Sequence, residues 1–409
     1  MTLPVFSQET NNKQNNDKGG KTAFNSKSAE KELRQYIKSK NYSKADDFFK
    51  SQEKKFTGEI RNDIKLINYE IEVMRNLALE YNKNIYLGKG SDTIKYFSCI
   101  YDLYKYSFLS DSLDALPDKK GRIKYKYRTD NSYKLTHFRP NLRSAGKFFY
   151  NKKQYTEAFK YIDMYLYSHG TSLLAASKDT AWVKEDTVQI ASIACLSAFA
   201  AENYKDVPKY LNQALMDQAS EKYIIEIACK SYQQLSDTVN MINMLNRGLD
   251  KYPDYDFFFL SAIKYYNDVK DYTAALRLCE RMTKHRASNR DFWFVKGNEQ
   301  IYLNMPDSAI VSFEKAIELR ADDAESYSVI GNIYLSKAKD YYSNHNKTEL
   351  RSGASRRHLS SLYTKAMENF ECSRKFAESK QELWYEGLRD SYFHLNKGRE
   401  LRYLDRLRR

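Results

Sequence analysis

Apolar positions recur along this chain at helical spacing. Ile60, Ile64, Ile67, Ile71 and Met74 fall three or four residues apart and mark one face of an amphipathic helix. Tyr36, Tyr42, Ala45 and Phe49 outline a helical hairpin ahead of it. Farther on, whole columns repeat at a fixed interval. Cys195, Cys229, Ile263, Gly297 and Gly331 stand 34 residues apart, and so do Ala198, Tyr232, Tyr266, Gln300 and Tyr334. A third column holds Val207, Met241, Ala275 and Ala309; Leu211, Leu245, Cys279 and Phe313 follow four residues later, then Ala214, Gly248, Met282 and Ala316 three after that. Such a period predicts stacked helical hairpins, each unable to bury its apolar face alone.

The chemistry of the columns says how the hairpins close. Small residues (Gly297, Gly331, Ala309, Ala316) let two helix backbones approach, and Trp293, Phe313, Tyr327 and Tyr334 fill the space around them. Pro253, Pro306 and the pair Asp322 and Asp323 stand where helices stop or start. In these residues the chain resembles the tetratricopeptide-repeat family, best over Asp291 to Asp323, where Trp293, Gly297, Ala309, Phe313 and Ala316 match the family pattern. Lys296 and Gln300 depart from it. The resemblance implies an all-α, right-handed solenoid of antiparallel helical hairpins.

The expected organisation follows. Residues 188–336 hold regular units, and 139–187 hold one more unit, with Gly146, Phe149, Tyr155 and Ala158 in register, followed by a long loop. Residues 29–138 read as degenerate hairpins with a basic loop at 117–140. In the last regular unit the first helix starts at Tyr327 and the second resumes at Ala366 and Phe370, which leaves a basic insertion at 337–365. Residues 366–409 complete that unit and cap the array. Residues 8–28 are polar and read as a disordered lead-in. Val5 and Ser7, within residues 1–7, are placed as in a signal-peptide cleavage site, which suggests export to a periplasm or beyond; a cytoplasmic chain is the alternative.

Composition narrows the function. The net charge of +14 invites a nucleic-acid reading, but residues 188–336 carry 16 Lys and Arg against 20 Asp and Glu, so the regular block is acidic. The basic excess lies elsewhere, most densely at Lys119 to Arg128 and at Arg351, Arg356 and Arg357. The alternation of cations and aromatics at 119–128 reads as an extended or hairpin segment on the surface with its cations solvated, and RNA or an anionic surface is the alternative reading. The 35 tyrosines suit half-buried helix seams. Five widely spaced cysteines form no CxxC pair, and Cys195, Cys229 and Cys279 fall in core columns, as inert thiols would. The six histidines read as isolated surface residues. Gly19, Gly20, Lys21 and Thr22 end like a phosphate-binding loop, yet Asn15 stands where that motif needs glycine. No catalytic, metal or cofactor pattern emerges, and no apolar run is long enough to span a membrane.

The resemblance also implies a binding surface, because the family lines its concave face with the first helices of successive units. Carried over by position, that face holds Leu196, Lys230, Lys264, Asn298 and Asn332 in one column, with Phe294, as an apolar contact, Tyr302 and Glu226 nearby. The implied function is a non-catalytic scaffold for a protein or an extended peptide.

Overall fold

The computed structural model of the protein describes residues 26–53, 60–90, 92–118, 120–177 and 187–407. The proposed cleavage site and the lead-in up to residue 25 lie outside them. Among the described residues all regular secondary structure is helical. The chain divides into two compact units, Met1–Ile227 and Ala228–Arg409, with the boundary inside α10 (Glu221–Gln234).

The first unit pairs α1 (Ser26–Lys38) with α2 (Tyr42–Glu53), α3 (Ile60–Tyr86) with α4 (Thr93–Asp114), and α5 (Arg128–Asn151) with α6 (Tyr155–Ser168); α7 (Ser172–Ala175) and α8 (Val188–Ala200) follow. Three expectations need correction here. Helix α1 starts at Ser26, inside the expected lead-in. The basic loop is shorter than 117–140, because α5 begins at Arg128 and runs through Pro140. Finally, the partner of α8 is irregular although its columns keep register: a 3-10 helix at Tyr204–Tyr210 leads into the single turn α9 (Leu211–Ala214). Pro208 lies inside that 3-10 helix, and a proline lacks the N–H that an α-helix interior requires.

The second unit pairs α11 (Thr238–Lys251) with the end of α10, α12 (Asp256–Asp268) with α13 (Tyr272–His285), α14 (Arg290–Tyr302) with α15 (Pro306–Leu319), α16 (Ala324–Asn344) with α18 (Gly353–Phe376), and α19 (Tyr385–His394) with α20 (Gly398–Leu407). The 337–365 insertion is a lengthening of α16 and α18, capped by the one-turn α17 (Lys347–Leu350). Glycine marks the close approaches on α14, α16 and α19. A Cβ at Gly297 would stand 2.7 Å from the Phe313 ring, and one at Gly331 2.8 Å from Phe370. At Gly387 it would meet the other side of the Phe370 contact at 2.1 Å. Ala309, Phe313, Ala316, Ala366 and Phe370 are buried, as the columns require, and Trp293, Tyr327 and Tyr334 are half-buried.

Within both units the turn between paired helices has one recurring form. Lys40, Lys153, Glu202, Ser236, Lys270, Asn304 and Asn396 all adopt a left-handed conformation, with φ of 56° to 59°. The next amide donates to the carbonyl five residues back, as Asp237 N to Tyr232 O (2.9 Å), Asp271 N to Tyr266 O (2.8 Å) and Met305 N to Gln300 O (2.8 Å). This is the six-to-one bond that ends a helix cleanly. Glu202, Ser236, Lys270 and Asn304 keep the 34-residue interval, so the period is written in the backbone as well as in the core.

Candidate functional site

Helices α12, α14 and α16, with the end of α10, are first helices in the same register, so residues 34 apart have equivalent places. A cleft of about 340 Å³ opens between α10 and α12. Lys230, Gln233, Ser236 and Thr238 line one wall, and Phe257, Ser261, Lys264, Tyr265 and Asp268 the other. A second cleft, of about 240 Å³, opens between α14 and α16. Ile301, Asn304 and Pro306 line it opposite Val329, Asn332, Ile333 and Ser336. Each of these seven residues lies 68 positions beyond a residue of the first cleft, which is two repeats.

The seam that falls between them in sequence is filled. Asn267, Tyr272, Glu299 and Tyr302 hold there the positions that Gln233, Thr238, Tyr265 and Asp268 hold in the first cleft. Tyr272 and Tyr302 stack at 4.6 Å with their planes 18° apart. Asn267 Nδ2 donates to Glu299 Oε1 at 3.1 Å. Burial pushes the Glu299 carboxyl above its ordinary pKa, and the Asn267 hydrogen bond opposes that shift.

The structure therefore distributes the residues expected to form one row. Lys230 and Lys264 share the first cleft, with the Lys230 ammonium 5.0 Å from the centre of the Phe257 ring. Asn332 belongs to the second cleft, where its amide donates to Ser328 O of its own helix at 3.0 Å. Asn298 is half-buried and lines neither. Phe294 is not an open apolar contact. Its half-buried ring takes Phe313 edge-on at 5.4 Å and carries the Arg290 guanidinium at 4.2 Å, because it packs onto the hydrophobic core. Sequence reading missed Phe257, Asp268 and Ile301. The signal was present: Phe257, Ser261, Lys264 and Asp268 recur at four, three and four residues, one stripe along α12.

Other expectations resolve as follows. The 120–127 segment is irregular, with a turn at Lys120 and bends at Gly121, Lys126 and Tyr127, and Asp118 Oδ1 accepts from the amides of Lys120 (2.8 Å) and Arg122 (2.9 Å). Its cations are partly spoken for: Arg122 pairs with Asp118, and Arg128 grips Asp111 with two hydrogen bonds at 2.6 and 2.8 Å. Arg351, Arg356 and Arg357 are exposed. Cys195, Cys229 and Cys279 are buried, and burial pushes the Cys195 thiol up to about 12, so it is no nucleophile at neutral pH. The histidines are less isolated than expected. His345 and His358 both lie against Tyr341, at 4.0 and 4.5 Å, and His394 stacks on Tyr363 at 4.3 Å.

Antiparallel helix pairs, a left-handed turn at a 34-residue interval and glycine-against-phenylalanine seams define an all-α tetratricopeptide-repeat fold. No family model matches the chain, and no curated protein does. Similar solved structures include MamA, at 15% identity over 46% of this chain and 90% of that one, with a TM-score of 0.35. The C-terminal part of a TPR repeat-containing protein from Cytophaga hutchinsonii is similar at 11% identity over 62% and 93% of the two chains, with a TM-score of 0.36. YrrB, described as a TPR protein with an unusual peptide-binding site, is similar at 14% identity over 50% and 93%, with a TM-score of 0.34. Among the described residues no helix is long and apolar enough to cross a membrane.

Proposed function

We propose that the protein is a non-catalytic scaffold that holds an extended segment of a partner protein along the first helices of its second unit. One observation carries this reading: the same set of repeat positions lines two clefts 68 residues apart. An extended chain presents side chains and backbone donors and acceptors at regular steps, and a surface that repeats its own clefts matches such a ligand better than it matches a compact small molecule. Lys230 and Lys264 supply charged donors in the first cleft, and Ile301 and Val329 an apolar contact in the second. The ion pairs that occupy Arg122 and Arg128 count against a nucleic-acid surface at the basic segment.

The test is affinity capture of the native partner by the full chain, read by mass spectrometry. Lys264→Ala combined with Asn332→Ala is expected to reduce recovery about tenfold or more, since hydrogen bonds to charged groups contribute roughly 1.5 to 3 kcal/mol. Thermal unfolding should be unchanged, because both side chains are exposed. Full recovery with this variant, together with loss of recovery in Arg356→Ala with Arg357→Ala, would move the binding surface to the extended α16 and α18 hairpin.

A further inference from the structure

The filled seam between α12 and α14 contains an unbalanced set of polar atoms. Glu299 is 1% exposed. Its Oε1 accepts from Asn267, but its Oε2 and the Oδ1 of Asn267 are both buried without a hydrogen-bond partner. Two neighbouring buried acceptors that lack a donor cost about 1 to 3 kcal/mol each, and native proteins seldom leave such groups unmatched. Glu299 forms no ion pair among the described residues. The same pair of helical hairpins brings Tyr302, the next residue but two on α14, into a stack with Tyr272, and at 59% exposed its ring is loosely held. All four residues stand at positions that line open clefts one repeat before and one repeat after.

We propose that this seam is a closed binding site for a primary ammonium group, the lysine side chain of the partner segment, with Glu299 Oε2 and Asn267 Oδ1 as its acceptors and Tyr302 as its lid. The proposal rests on the groove reading above. The chemistry selects the ligand. Both orphaned atoms are acceptors, so the ligand is a donor, and one acceptor belongs to a carboxylate, so the donor carries positive charge. A guanidinium grips a carboxylate through both of its oxygens, but Asn267 Nδ2 already occupies Oε1, which leaves room for a compact ammonium rather than a planar fork. Tyrosine faces attract such a cation when it is stripped of water. With Tyr302 swung aside, the three seams become one run of clefts, and the partner's lysine sits between the side chains that enter the other two.

The probes are fluorescent nine-residue peptides of glycine, serine and alanine with one central residue, either lysine or its uncharged isostere norleucine, titrated against the full chain. The lysine peptide is expected to bind about tenfold or more tightly than the norleucine peptide. Glu299→Gln should abolish the difference, and Tyr302→Ala should preserve it while speeding association. Equal affinity for the two peptides, no detectable binding of either, or a lysine preference that survives Glu299→Gln would overturn the proposal. A proton on Glu299 Oε2 donating to Asn267 is the rival source of the missing donor. In that case neither peptide is preferred; the fall in folding stability as pH rises through the raised folded pKa, which Glu299→Gln removes, follows from burial under either reading. Partner capture separates the two readings: if Lys264→Ala with Asn332→Ala reduces recovery and the peptides show no preference, the groove stands and the ammonium site does not.

Discussion

The two units reach similar helical hairpins by different means. In the second, the glycine seams are apolar and repetitive, with a phenylalanine against a glycine at Gly297 and Phe313, at Gly331 and Phe370, and again at Gly387 and Phe370, beside the buried polar contacts of Arg290 with Asp323 and of Asn267 with Glu299. In the first, buried polar side chains tie helices together. Arg139 is 1% exposed; it donates to Tyr165 O at 2.9 Å and to Ser168 Oγ, meets His169 Nδ1 at 3.2 Å, and lies over the Tyr165 ring at 4.1 Å. Asn131 Nδ2 donates to Asn68 Oδ1 at 3.0 Å, and Asn68 passes the chain on to Ser110 Oγ at 2.9 Å. Glu70 is fully buried on α3 against the Asp46 carboxyl of α2, and burial first, then the Asp46 charge and hydrogen bond, hold its own carboxyl well above the usual range. A repeating seam tolerates small volume changes poorly but needs no particular partner. A polar lock is made once, by named atoms, and fails when one of them is lost.

The largest expected effect tests that contrast directly. Arg139→Met keeps much of the aliphatic volume but removes every donor, and it leaves Tyr165 O and Ser168 Oγ only the 2.9 Å bond that Ser168 Oγ donates to Tyr165 O. The expected loss is about 3 kcal/mol in denaturant unfolding, since hydrogen bonds from a charged donor contribute roughly 1.5 to 3 kcal/mol each and Arg139 makes at least two of them. A loss below about 1 kcal/mol would show that the first unit does not depend on its polar lock.

This difference also explains what could be read in advance. The 34-residue columns exposed Gly297, Phe313, Gly331 and the αL-flanking column of Tyr232, Tyr266 and Gln300, because each recurs and periodicity averages out local accident. Arg139 recurs nowhere. Its neighbours Ser168 and His169 lie 29 and 30 residues away on another helix, and no spacing rule links them. The row Lys230, Lys264, Asn298 and Asn332 was legible as a column, but which members face a cleft was not. That depends on Tyr272 and Tyr302 filling the central seam, a pairing between the start of one second helix and the end of the next first helix. Phe294 was expected as an open apolar contact, and its repeat position did not reveal that Phe313 and Arg290 claim its ring.

The second unit has an intermediate expected sensitivity. At Gly387 an added methyl would sit 2.1 Å from the Phe370 ring, which is also confined by Gly331. Gly387→Ala is expected to cost about 1 to 3 kcal/mol of overpacking, reduced by up to about 1 kcal/mol through better helix propensity. Phe370→Leu in the Gly387→Ala background should recover part of that loss, a coupling that double-mutant thermal unfolding can measure. Independent, additive effects at the two positions would mean that the seam is not set by this contact.

The smallest effect sharpens the comparison from the opposite side, because both units share the left-handed turn. Lys153 in the first unit and Lys270 in the second have the same φ of 59° and carry the same β-carbon penalty there. Replacing either with glycine relieves strain of about 1 kcal/mol but lets the unfolded chain wander more, at a cost of roughly 0.4 to 1 kcal/mol. The net change is a gain of a few tenths of a kcal/mol, equal at the two sites. Asn304→Gly should gain less, since asparagine already tolerates the left-handed region. Matched small gains for Lys153→Gly and Lys270→Gly, read by chemical unfolding, would show that the turns are interchangeable between units whose seams are not. A gain at one site and a loss at the other would mean that the turn is held by its own unit's packing, and that the shared φ is the product of two different environments rather than one repeated device.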